Sequence, residues 1–102
     1  MRVGDLLSEL RRRVVEVYRT DIDSDVLALW NLYKMAPGAR YVVAIDMRLD
    51  WIAAYDLITN QQLFLAQTED EEIDSDIASR ILSAGRVYRA RAGQYTAYVV
   101  VS

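Results

Sequence analysis

The chain contains no cysteine and no histidine. Disulfide staples, thiolate nucleophiles and Cys/His zinc or iron–sulfur sites are therefore excluded. So are Ser-His-Asp and Cys-His relays and a histidine general base. Glycine is scarce, four in 102 residues, and too scattered for a phosphate-cradling loop. Proline and lysine occur once each, at Pro37 and Lys34, which leaves eleven arginines to carry the remaining basic charge. A GC-rich genome produces that bias, and arginine's planar fork also suits carboxylates, phosphates and aromatic faces. No apolar run approaches the ~18–20 residues needed to span a bilayer. Asp5 and Glu9 interrupt the start before a signal peptide's apolar stretch could form, so the expected compartment is the cytoplasm.

What is present is a folding composition, 53% hydrophobic and 26% charged, of single-domain size over residues 1–102. The net charge of −3 is uneven: about neutral (+1) over 1–40, −7 over 41–85 and +3 over 86–102. An acidic whole argues against a dedicated duplex-DNA binder, whose affinity comes from phosphate neutralisation.

Apolar residues at Val3, Leu6, Leu7, Leu10, Val14, Val17 and Tyr18 trace an amphipathic helix, although the β-branched Val14, Val15 and Val17 support a strand over 13–20. A second stripe, Val26, Leu29, Trp30 and Tyr33, predicts another helix, stopped by Pro37-Gly38. From Arg40 the period becomes two. Strands are predicted to Arg48, over Trp51 to Ile58 and over Gln62 to Thr68, joined by short turns as an antiparallel meander. Ile73, Ile77, Ala78, Ile81 and Ala84 mark a third helix, ended by Gly85. Val87 to Ala92 and Tyr95 to Val101 then form a hairpin about Gly93-Gln94.

The expected fold is α+β in the order α-α-β-β-β-α-β-β: an antiparallel sheet of about five strands with three helices mainly on one face. The alternative is a duplicated β-α-β-β unit, ferredoxin-like. It rests on the echo of Asp21-Ile22-Asp23-Ser24-Asp25-Val26 in Glu72-Ile73-Asp74-Ser75-Asp76-Ile77, and it requires the strand over 13–20.

Asp21, Asp23 and Asp25 have the alternate spacing of EF-hand calcium ligands. Val26 replaces the sharp-turn glycine and Leu32 the bidentate glutamate, so the acids read as helix caps and no metal or cofactor is expected. Tyr41-Val42-Val43-Ala44-Ile45-Asp46 and the hairpin after it resemble the opening of ribonuclease H-like and actin-like ATPase folds. That resemblance implies a divalent metal on Asp46 and a metal-dependent phosphotransfer enzyme. The chain departs from those families in having Met47-Arg48-Leu49-Asp50 where the ATPases have a glycine-rich turn. Asp46 and Asp56 are also expected on opposite faces of the sheet, where they cannot share one ion.

The basic hairpin is the main candidate binding surface: Arg86, Tyr88, Arg89, Arg91 and Tyr98. Pairing about Gly93-Gln94 sets Arg89 opposite Tyr98 and Arg91 opposite Thr96, and arginines beside an exposed tyrosine would suit single-stranded nucleic acid. The competing expectation is internal pairing of Arg89 and Arg91 with the acidic 69–76 segment. The terminal strand is apolar on both sides, so Tyr95, Ala97, Val99 and Val101 are expected either at a homodimer edge or inside the sheet. The leading expectation is a non-enzymatic accessory protein acting through protein contacts as a homodimer, of a kind common in viruses and mobile elements. A nucleic-acid binder and the Asp46 enzyme are the alternatives.

Overall fold

The computed structural model describes the backbone of residues 1–20, 38–46, 51–92 and 95–101, and their side chains except 16–20, 90–92 and 95. The second helix expected at Val26 to Tyr33, the Asp21–Asp25 run and the turns at 47–50 and 93–94 lie outside the described residues. The fold is α+β. Helix α1 spans Val3–Arg13, followed by strands β1 (Val14–Thr20), β2 (Ala39–Asp46), β3 (Trp51–Asp56) and β4 (Gln61–Ala66). Helix α2 spans Ser75–Ser83, and β5 (Arg86–Ala92) and β6 (Tyr95–Val101) complete the described residues.

Two expectations are corrected here. Among the described residues the sheet has six strands in the order β1-β5-β6-β2-β3-β4, and it is mixed rather than antiparallel, because β1 pairs with β5 in parallel. The extra strand comes from residues expected to continue the first helix. α1 ends at Arg13, and Val14 is already extended (φ −61°, ψ 122°). Val3, Leu6, Leu7 and Leu10 are fully buried, so the helical stripe holds for as long as it packs. Past Arg13 the valines favour pleated backbone.

The strand required by the duplication is therefore present, but the halves are not related by a two-fold. Such symmetry would place β4 beside β2, as β1 lies beside β5, whereas β4 lies beside β3.

Both ends of α1 are tied to the chain around α2. The Val3 and Gly4 amides, which have no partner within the helix, donate to the Glu71 and Glu69 carbonyls at 2.9 and 2.8 Å. A Cβ at Gly4 would lie 3.2 Å from both Glu69 Cβ and its carbonyl oxygen, so this approach favours glycine. At the other end Arg13 Nη1 donates to the Leu82 carbonyl at 2.7 Å, capping the last turn of α2. The helices thus run the same way, and the strands they feed begin as partners, Val14 with Val87.

The helices cover one face of the sheet, where Tyr41, Val43, Ile52, Val87, Tyr98 and Val100 meet the leucines of α1 and Ile81 of α2. The opposite face is also buried at its centre. Ala53, Ala44 and Ala97 stand in one row across β3, β2 and β6, all of them inaccessible to solvent.

Candidate interaction surfaces

The C-terminal hairpin has the expected register: Val87 opposite Val100, Arg89 opposite Tyr98, Arg91 opposite Thr96 and Ala92 opposite Tyr95. The surface it was expected to form is not assembled. Tyr98 faces the helices and is 2% exposed, with its hydroxyl accepting a hydrogen bond from Arg11 Nε at 3.2 Å. A base cannot stack on a ring held there. Arg89 is exposed and Tyr88 half-buried, while Arg86 is exposed on the face opposite to Arg89. The side chain of Arg91 lies outside the described residues.

The acidic 69–76 segment is engaged, but with α1 rather than Arg89. Glu69 pairs with Arg11 at 3.5 Å, and Glu72 with the N-terminal ammonium at 3.3 Å and Arg2 at 3.8 Å. Glu71 accepts from the Gln67 and Thr68 amides, and Asp74 caps α2 through the Asp76 amide. Arg11 thus joins the acidic segment to Tyr98, a link not anticipated from sequence because it spans 87 residues. On the solvent side of α1, the hydrogen bond from Arg12 (2.6 Å) holds the Glu9 carboxyl below the usual glutamate range, and Arg13 lies 3.4 Å away.

The two carboxylates buried among the described residues, Asp46 and Asp56, do not converge. Asp46 pairs in register with Trp51 and Asp56 with Tyr41, at opposite ends of the β2–β3 ladder and on opposite faces. Asp56 accepts from the Ile58 and Thr59 amides at 3.0 and 3.3 Å, which fixes the turn into β4. Among the described residues, no group of three or more Asp or Glu side chains could hold a metal ion.

β6 is interior, paired with β5 on one side and β2 on the other. The expected dimer edge of Tyr95, Ala97, Val99 and Val101 is thereby corrected, since a strand with both sides paired has no ladder to offer. Among the described residues the rims are β1 and β4. Large apolar side chains stand exposed at both: Val15 on β1 (63%), Leu65 on β4 (61%) and Ile58 in the turn before it (68%). Each rim also carries a bulge: Val15 is the extra residue between Val14 and Glu16, and Leu63 lies between Gln62 (opposite Tyr55) and Phe64 (opposite Ala54).

A shallow groove of about 400 Å³ lies along α2, lined by Met1, Arg13, Ser75, Ser79, Leu82 and Ser83, among others. Among the described residues, no helix is long and apolar enough to cross a membrane. Comparison with protein-family models, curated proteins and solved structures finds no match for this chain.

Proposed function

We propose that the chain is a small non-enzymatic accessory protein that acts through protein contacts and does so as a homodimer. One observation carries this reading. The open sheet ends in two strands that, among the described residues, pair on one side only, and exposed apolar side chains stand beside both. An edge of this kind recruits another strand. A two-fold axis satisfies it by closing two copies on each other.

Size-exclusion chromatography with light scattering tests the proposal. The expected mass is twice that of one chain; a single-chain mass at concentrations up to about 100 µM overturns it, since no useful self-affinity then exists. The nucleic-acid alternative is the less favoured, because Tyr98, one of its two stacking rings, is buried and the other, Tyr88, is half-buried on the face opposite to Arg89. Among the described residues no second carboxylate stands beside Asp46, since Asp56 is on the other face of the sheet, which gives the phosphotransfer alternative no support.

A further inference from the structure

We infer that β4 is the strand that makes the dimer, pairing antiparallel with β4 of a second copy about a two-fold axis at Leu65 and joining two six-stranded sheets into one. This rests on the homodimeric reading above and adds the strand, the partner and the register.

The choice between the rims follows from charge. β1 carries Glu16 and Arg19 within its seven residues, and charged side chains discourage edge pairing. β4 reads Gln-Gln-Leu-Phe-Leu-Ala and carries none. The uncharged stretch runs twelve residues, from Leu57 to Thr68, in a chain that is 26% charged. No charge, no proline and two leucines beside a phenylalanine make a strand suited to pairing with its own kind.

The register follows from the bulge. Leu63 is the extra residue, so Phe64–Ala66 is the regular part of the strand, opposite Ala54, Ala53 and Ile52. Phe64 and Ala66 turn toward the helix-covered face, and Leu65, opposite Ala53, turns to the other. An axis at Leu65 sets Leu65 against Leu65 and Phe64 against Ala66, so every pair shares a face. Directly opposed residues have Cβ atoms about 4.5–5.5 Å apart, and the two exposed leucines then cover each other.

The occupant follows from what the rim offers, which is backbone donors and acceptors and one leucine. Of the four acids just beyond β4, Glu69, Glu71 and Glu72 are already engaged, which leaves the single carboxylate of Asp70 to select a basic peptide. Antiparallel self-pairing directs each acidic 69–72 segment toward the uncharged 58–61 of the other copy, so like charges do not meet. The strand of this molecule that matches this offer is β4 itself.

Three variants test the assignment, each compared with the unsubstituted chain by light scattering and thermal melting followed by circular dichroism. Leu65→Lys is expected to raise the dimer Kd at least about tenfold, a 1.4 kcal/mol effect, with helix and strand signals unchanged. Val15→Lys, on the other rim, is expected to leave the mass unchanged. Leu65→Cys supplies the chain's only thiol and is expected to oxidise to a covalent dimer that elutes with the unsubstituted one. A monomeric unsubstituted chain overturns the dimer and this inference together. An unsubstituted dimer that survives Leu65→Lys, or that dissociates with Val15→Lys instead, overturns the β4 assignment and leaves the dimer standing.

Discussion

The two rims of one sheet meet the same problem by different means. Each ends in a row of backbone groups without a neighbour among the described residues, and each carries one bulge. β1 follows α1 with no connecting residue, is anchored by that helix's fully buried leucines, and carries two charges. β4 enters from a turn fixed by Asp56, is anchored by a half-buried Phe64 and a buried Ala66, and carries none. A bulge twists an edge locally, whereas a charge acts against any strand that approaches. The rim with the bulge alone is the one left open to pairing, and it is also the less firmly anchored.

That difference in anchorage gives the largest expected effects. Leu10→Ala, at the end of α1 nearest β1, removes a side chain with no solvent exposure and should cost about 2–5 kcal/mol. Phe64→Ala, behind β4, removes a larger but half-buried ring, so its cost should fall below the ~3–5 kcal/mol of a fully buried phenylalanine and below that of Leu10→Ala. Urea unfolding midpoints at one fixed protein concentration compare them, because a dimer's stability depends on concentration. If Phe64→Ala proves the more damaging, β4 is anchored as firmly as β1 and the contrast fails. Next in size is Asp56→Ala. It strips the acceptor from two amides in the turn before β4, for an expected ~1–3 kcal/mol, and Asp56→Asn should restore most of it because an amide oxygen still accepts.

The elements of the fold were more legible in the sequence than their arrangement. The period-two runs placed β2, β3 and β4 within a few residues, and the short Gly93-Gln94 link set the C-terminal hairpin's register pair by pair. Local patterning carries such information because hairpin partners are close in the chain. The α1–β1 junction was ambiguous, since Val14, Val17 and Tyr18 also continue the helical stripe, while the β-branched valines favour the strand that the backbone adopts from Val14. The parallel β1–β5 pairing joins residues 73 apart, Val14 with Val87, and no local period reports a contact of that range. Both site corrections come from contacts of similarly long range. β6 is interior because β2, some fifty residues earlier in the chain, pairs along its other side, and α1 lies over Tyr98, whose hydroxyl accepts from Arg11 across 87 residues. The opposite faces of Asp46 and Asp56 were legible from an assumed two-residue turn at Leu49-Asp50; the observed pairing of Asp46 with Trp51 shifts that register by two residues, which keeps the faces.

The smallest expected effect is ionic and belongs to α1, the helix that leads into β1. The hydrogen bond from Arg12 holds Glu9 below the ordinary glutamate range in the folded chain. A carboxylate with a lowered folded pKa stabilises the fold fully above its unfolded value, and that contribution disappears as the pH falls through the folded value. Because the pair is exposed, salt should screen it. A carbon-detected titration should show the Glu9 carboxyl titrating higher in Arg12→Ala than in the unsubstituted chain, with the gap narrowing as salt is added. A Glu9 titration unchanged by the substitution would remove Arg12 as the cause. β4 has no titrating side chain, so the dimer mass should stay constant while Glu9 titrates.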